Sequence, residues 1–267
     1  MPNELARRIF LFRAHAGEML RDGDAALSDW LRHDYHLEDS PIIALTCYLQ
    51  EQETVSEIPM QGALSIECVA MQSFTEYFLH TPLSRAANEA IARAIAYRSK
   101  AKQTFTQAAD LGLFVMTFEG EPIGPDAWRA RLASDGFVED SRAHLQKGDL
   151  LARHFGQVAH TGLMVLRHPA GRKRKVGGSA WPERRLFEQI QQACPDFILL
   201  RQAEREAMSA ADVAGALAYL RELASLPIRV RHLPRPSPFG ESLLQMGLPP
   251  SIGSGPVHEA QAKAGAR

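Results

Sequence analysis

Near residue 60 the spacing of apolar residues changes from about 3.6 to about 2, and that change sets what this chain can fold into. Before it, Leu5, Ile9, Phe12, Ala16 and Met19 recur at alternating steps of four and three, which places them on one helical face. The stretch RDGD (21–24) interrupts the pattern, and Leu27, Trp30 and Leu31 resume it. Ser40 before Pro41 predicts a helix start, a hydroxyl cap followed by a residue with no amide hydrogen to leave unpaired. Ile42, Leu45, Tyr48 and Leu49 supply that helix with its apolar face. After the change, Leu64, Ile66 and Cys68 alternate with Ser65 and Glu67, which reads as a half-buried strand. MQSFTEYFLH (71–80) is its expected partner, although both of its faces carry aromatics.

Helix and strand patterns then alternate. TPLSRAANEAIARAIAYR (81–98) is helical, with Ala87, Ile91, Ala94 and Ile95 forming a stripe of small residues suited to lying close against a sheet. TFTQAADLGLFVMTFEG (104–120) reads as a hairpin, and helical character dominates from Pro122 to Arg167. ERRLFEQIQQA (183–193), DFILLRQAEREAM (196–208, with Asp196 as cap) and ADVAGALAYLRELA (211–224) are three further helices. PIRVRHL (227–233) is a short strand in which Ile228 and Val230 alternate with Arg229 and Arg231. The expected architecture is α+β: a mostly antiparallel sheet with helices packed on one side, preceded by an N-terminal helical segment. The expected division is a helical segment over 1–58, an α+β domain over 59–246 and a disordered tail over 247–267, where little can be buried.

Much familiar chemistry is missing. There is no GxxxxGK[ST] phosphate loop and no DExD/H carboxylate pair, so the chain lacks the means to cradle and hydrolyse a nucleotide by the usual motor route. GxGxxG, HExxH and GxSxG are absent as well. His154, His160 and His168 fall at steps of six and eight, which does not match ligand spacing on a helix, so no metal is expected. Glu67 with Glu76, or Asp196 with Glu206, has no nucleophile beside it and supports no acid–base catalysis. Three scattered cysteines, Cys47, Cys68 and Cys194, fit reduced thiols in a cytoplasmic protein. No secretory leader and no apolar run of about 18 residues is present, so no membrane association is expected.

Positive charge is concentrated in one place. HPAGRKRKVGGSAWPERRLF (168–187) sets Arg172, Lys173, Arg174 and Lys175 between glycines and adds Arg184 and Arg185 after Trp181, in a chain whose formal net charge is −1. Gly171, Gly177 and Gly178 argue against a helix interior, where each costs about 1 kcal/mol. Adjacent cations repel by about 1 kcal/mol per close pair in water. Such a loop is better placed beside phosphates, gaining affinity through counterion release. Trp181 either offers a flat face to an unstacked base or anchors the following helix.

Several segments in order carry a resemblance: SEIP (56–59), LSIEC (64–68), HTPLSRAANEAIARAIAYR (80–98), ADLGLFVM (109–116), GRKRK…RLFEQI, DFILLRQAERE (196–206) and LPRPSPFGESLL (233–244). Together they resemble the domain that follows the motor in Lhr-type (large helicase-related) DEAD/DEAH-box DNA helicases, most of all the ligase-associated helicases of bacterial DNA repair. The resemblance implies a parent activity of ATP-dependent 3′–5′ DNA unwinding, with ATP and magnesium bound by motor lobes outside this sequence and no cofactor here. It implies single-stranded or tailed duplex DNA, a helicase motor segment or polypeptide, and ligase-associated repair proteins as partners. It strengthens phosphate contact for Arg172 to Lys175. It also adds Arg201 and Arg205, one turn apart in the LLRQAxRE motif, as strand contacts or as members of an ion-pair network with Glu204 and Glu206. Arg235 to Phe239 are expected to form a rigid turn that packs Phe239 inward, and Arg85 and Asn88 to be structural. The rival reading is a protein-interaction module that docks a separate helicase or repair partner and binds no DNA alone.

Overall fold

The computed structural model describes residues 1–99, 104–118, 122–147, 149–162, 164 and 180–247. Three helices come first: α1 (Asn3–Asp22), α2 (Asp24–Tyr35) and α3 (Asp39–Val55). Gly23, at φ 120°, is the single residue between α1 and α2, a backbone state that glycine reaches without penalty. The cap expected at Ser40 is not used. Helix α3 begins one residue earlier, so Ser40 and Pro41 fall inside its first turn, where a missing amide hydrogen is equally harmless.

Five strands form one sheet in the order β3-β4-β2-β1-β5. They are β1 (Leu64–Ala70), β2 (Phe74–His80), β3 (Thr104–Ala109), β4 (Gly112–Phe118) and β5 (Ile228–His232). All neighbours are antiparallel except β1 and β5, which run parallel with Ile66 opposite Val230. Helix α4 (Arg85–Arg98) crosses between β2 and β3, capped by Ser84, whose hydroxyl accepts from the Ala87 amide. Five helices lie between β4 and α10: α5 (Pro125–Arg131), α6 (Phe137–Lys147), α7 (Asp149–Thr161), α8 (Ala180–Ala193) and α9 (Ile198–Ser209). Helix α10 (Val213–Leu223) leads into β5, and α11 (Pro238–Gly247) is the last element described.

One face of the sheet carries the larger core. Leu64, Ile66, Cys68, Tyr77, Leu79, Leu113 and Val115 meet the stripe of α4 and side chains of α5, α6 and α10. The opposite face is closed too: Val69, Phe78, Phe114 and Met116 pack against Leu243 and Leu244 of α11 and Val55 of α3. The expected cover on one side is therefore corrected to a cover on both. The reason is visible in the strands, where β1, β2 and β4 bury successive residues instead of alternate ones. Glu67 and Ser65, which alternation assigns to a solvent face, are 2% and 6% exposed. A separate cluster of Leu145, Leu151, Phe155, Phe187, Leu200, Ala203 and Ala207 joins α6, α7, α8 and α9.

Arginines do structural work at the joints. Arg98 donates to the carbonyls of Arg131, Ala133 and Asp135 and pairs with Asp140 at 2.6 Å. Arg129 donates to the carbonyls of Leu223, Ala224 and Leu226, closing the carbonyl end of α10 just before β5.

Candidate nucleic-acid interface

Arg172, Lys173, Arg174 and Lys175 lie outside the described residues. Trp181 and Arg184 fall in the first turns of α8, where the backbone is helical and the side chains are outside the description. Arg185, further along α8, is exposed. On α9, Arg201 and Arg205 share an exposed face, but their surroundings differ. Arg201 donates to Asp196 at 2.5 Å, and this bond, with the carboxylate's charge, raises the pKa of its guanidinium. Asp196 is thus an ion-pair partner and not the cap of α9, which begins at Ile198 without a side-chain cap. Arg185 and Arg205 make no ion pair with another described residue. Glu204 faces Arg142 at 3.7 Å and Glu206 accepts from Gln202 at 3.0 Å, so among the described residues the ion pair that Arg201 makes is with Asp196 and not with these two glutamates.

A second surface escaped the sequence reading. Phe12 of α1 stacks on Trp30 of α2 at 5.4 Å, and Tyr35 stands edge-on to both, 5.0 Å from each. His15, one turn after Phe12, meets Trp30 edge-on at 4.7 Å. Phe12 and Trp30 are half-buried, Tyr35 is 47% exposed, and His15 is exposed. Arg8, one turn before Phe12, is exposed and makes no ion pair with another described residue. The same helical spacing that marks Phe12 and Trp30 as apolar cannot say that their outer side is left open. A half-open cluster of rings with an exposed arginine at its edge suits a nucleobase packed on an outer ring face and a phosphate beside it.

The platform is held by the far end of the chain. Phe239 inserts among Ala16, Leu20, Ile42 and Leu49, and Arg13 lies 4.5 Å over its ring, with burial lowering that arginine's pKa. Tyr48 donates to the Pro238 carbonyl or engages the Ser242 hydroxyl, at 3.3 and 3.0 Å. Beneath the same loop sits Glu67, whose two oxygens accept from Ser237 at 2.8 and 2.7 Å. Gln52 of α3 reaches Glu67 at 3.3 Å while its carbonyl accepts from the Phe239 amide at 2.9 Å. His80 Nε2 lies 3.3 Å from Glu67. The expected rigid turn over Arg235 to Phe239 is therefore a clamp that fixes α1 and α3, and with them the rings, to the sheet. Asn88, as expected, is structural: buried in α4, it donates to the carbonyls of Ala109 and Leu83 and accepts from Thr81.

No group of three or more potential metal ligands gathers among the described residues, and no helix there is long and apolar enough to cross a membrane.

Comparison with known proteins bears on the whole arrangement. Residues 58–240 match the DEAD/H associated family. The ATP-dependent helicase Lhr-Core protein 2 of Thermococcus barophilus is 30% identical over 250 residues, covering 91% of this chain and 29% of that protein. The Lhr-Core helicase of Methanocaldococcus jannaschii is 27% identical over 218 residues, covering 80% of this chain and 26% of its own length. Among solved structures, Mycobacterium smegmatis helicase Lhr bound to ssDNA and AMP-PNP shares the fold at a TM-score of 0.75 and 22% identity, over 91% of this chain and 32% of that one. This chain thus spans less than a third of the length of the helicases it matches. With the sheet and most of the motif order falling inside the matched span, the chain belongs to the DEAD/H associated family, as the C-terminal domain of Lhr-type helicases.

Proposed function

We propose that this domain holds single-stranded DNA for an Lhr-type ATP-dependent helicase, with fuel, ATP and magnesium handled by RecA-type lobes beyond this sequence. The observation that carries the reading is the half-exposed platform of Phe12, Trp30 and Tyr35 beside the exposed Arg8. The domain itself then catalyses nothing; it grips a strand or a tailed duplex while the motor advances. The solved relative's single-stranded DNA supports the choice of ligand. The motif set's similarity to ligase-associated helicases supports a setting in cytoplasmic DNA repair, with ligase-associated proteins among the partners. Arg172 to Lys175, Arg185 and Arg205 are the proposed phosphate contacts away from the platform.

Stacking and charge separate experimentally. In a salt series with fluorescent oligothymidylate, Trp30→Ala is expected to weaken binding by roughly 5- to 100-fold, the value of one stacked base, with the salt slope unchanged. Trp30→Phe, which keeps a ring, retains most of the affinity. Neutralising Lys173 and Arg174 is expected to flatten the slope by about one to two units with little sequence preference. Equal affinity for wild type and Trp30→Ala removes the platform from the interface; an unchanged slope removes the two cations. A folded chain that binds no strand yet co-purifies with the motor polypeptide replaces the reading with protein docking.

A further inference from the structure

Strand β5 ends the sheet, and among the described residues no strand pairs with its outer edge. The amide of Leu64 donates to the carbonyl of Pro227, and the amide of Leu233 donates to the carbonyl of Cys68. In a parallel ladder these two bonds fix the odd-numbered residues of β5 as the ones that face β1. The N–H and C=O groups of Val230 and His232 therefore point outward, and neither has a hydrogen-bond partner among the described residues. An unpaired row of this kind is a template for another strand.

The side chains along the edge say which strand it takes. Arg229, Arg231, His232 and Arg235 are all exposed. The nearby carboxylates neutralise them loosely: Glu57 lies 3.8 Å from Arg231 and Glu51 lies 3.7 Å from Arg235, both beyond hydrogen-bonding distance. Register places Arg229 and Arg231 opposite Ser65 and Glu67, on the face that α3 and α11 cover, and Val230 on the other. A second copy pairing through this edge brings arginine against arginine about 5 Å apart, which is destabilising. A strand with acidic residues at alternate positions meets Arg229 and Arg231 with opposite charge, and its remaining residues lie beside Val230.

We propose that the outer edge of β5 receives an extended, acidic segment of a partner polypeptide, which adds as a sixth strand. The backbone supplies the hydrogen bonds and the arginines select the partner. This inference does not depend on the DNA reading, since it uses neither the platform nor the basic stretch.

The test uses the 267-residue chain and a ten-residue peptide alternating glutamate and valine, end-blocked and fluorescently labelled. Binding is expected, with slowed hydrogen exchange at the amides of Val230 and His232. Val230→Pro removes one outward donor while leaving the β1 ladder intact, and is expected to weaken binding at least tenfold. The double variant Arg229→Glu, Arg231→Glu is expected to do the same and to lose the salt dependence. A peptide N-methylated at alternate residues, used with the unaltered protein, is expected not to bind, a control that holds even if a variant folds poorly. No binding, binding without protection of the Val230 and His232 amides, or binding that survives both Val230→Pro and N-methylation overturns the proposal. So does protection of the same amides by a concentration-dependent dimer or by oligothymidylate in place of the peptide.

Discussion

Glu67→Ala is expected to cost the fold about 3–5 kcal/mol, the scale of emptying the centre of a buried, hydrogen-bonded carboxylate network. At this chain length that corresponds to a fall in Tm of roughly 10 °C. Glu67 is 2% exposed and gathers Ser237, Gln52 and His80 from three separate parts of the chain. Removing it leaves the Ser237 hydroxyl buried without its acceptor, the Gln52 amide with the Glu57 carbonyl alone and His80 without the carboxylate beside it, and each unmet group carries its own desolvation penalty. Burial alone pushes the Glu67 carboxyl up. His80 beside it and the hydroxyls of Ser237 and Ser56 outweigh it and hold the pKa at about 2, against 4.5 for a free carboxyl. Because the folded value is the lower one, the carboxylate's contribution is complete above the unfolded value of 4.5 and disappears as pH falls toward about 2. Urea unfolding of wild type and Glu67→Ala at a series of pH values checks both statements. The stability gap is expected to be wide at pH 6 and to narrow steadily below 4.5. A gap that stays constant with pH means that Glu67 works through packing and not through charge. Glu67→Gln keeps an acceptor oxygen for Ser237 and is expected to fall between the two.

The position of Glu67 also shows where a sequence stops being readable. The helix α4 stripe of Ala87, Ile91, Ala94 and Ile95 was legible because helical periodicity is local and the sheet is adjacent in the chain. The β3–β4 hairpin and the pairing of β1 with β2 were legible for the same reason. Glu67 was not. Polar alternation assigns it to solvent, and partners remote in the chain, Ser237 170 residues away among them, make the burial tolerable. Similarly, Phe12, Trp30 and Tyr35 appear in the sequence as parts of two apolar helix faces. Their shared open surface depends on how α1 and α2 meet across Gly23, which periodicity does not encode. Two of the motifs that carried the family resemblance, HTPLSRAAN and PRPSPF, read in the sequence as structural and turn positions. In the fold HTPLSRAAN supplies His80 and Asn88, and PRPSPF supplies Ser237 and Phe239, so both belong to the clamp. Motif order was therefore a better guide to architecture than to the contact surface.

Gly112→Ala is expected to destabilise the chain by about 3 kcal/mol or more, and Gly112→Val by more still, although valine is the better strand former. Gly112 opens β4 opposite His80, and a Cβ there would lie 2.5 Å from the carbonyl oxygen of Leu79 and 2.8 Å from Leu243 Cδ1. Leu243 can shift by rotating; the Leu79 carbonyl cannot, because it belongs to the central β2 strand, paired on both sides. In the sequence ADLGLFVM a glycine at this point looks like a weak spot in a strand, since glycine loses more backbone freedom than any other residue on folding. Here the missing side chain is what lets β4 and α11 approach β2 together. A second glycine provides the contrast. Gly124 caps α5 at φ −80° with nothing within 4 Å of its would-be Cβ, so Gly124→Ser is expected to be neutral or to stabilise by about 0.5 kcal/mol. Thermal melts of the two single variants should move in opposite directions. If Gly112→Ala melts with the wild type, the β2–β4–α11 packing is looser than these distances require, and the clamp that seats the aromatic platform has a softer footing than the one described.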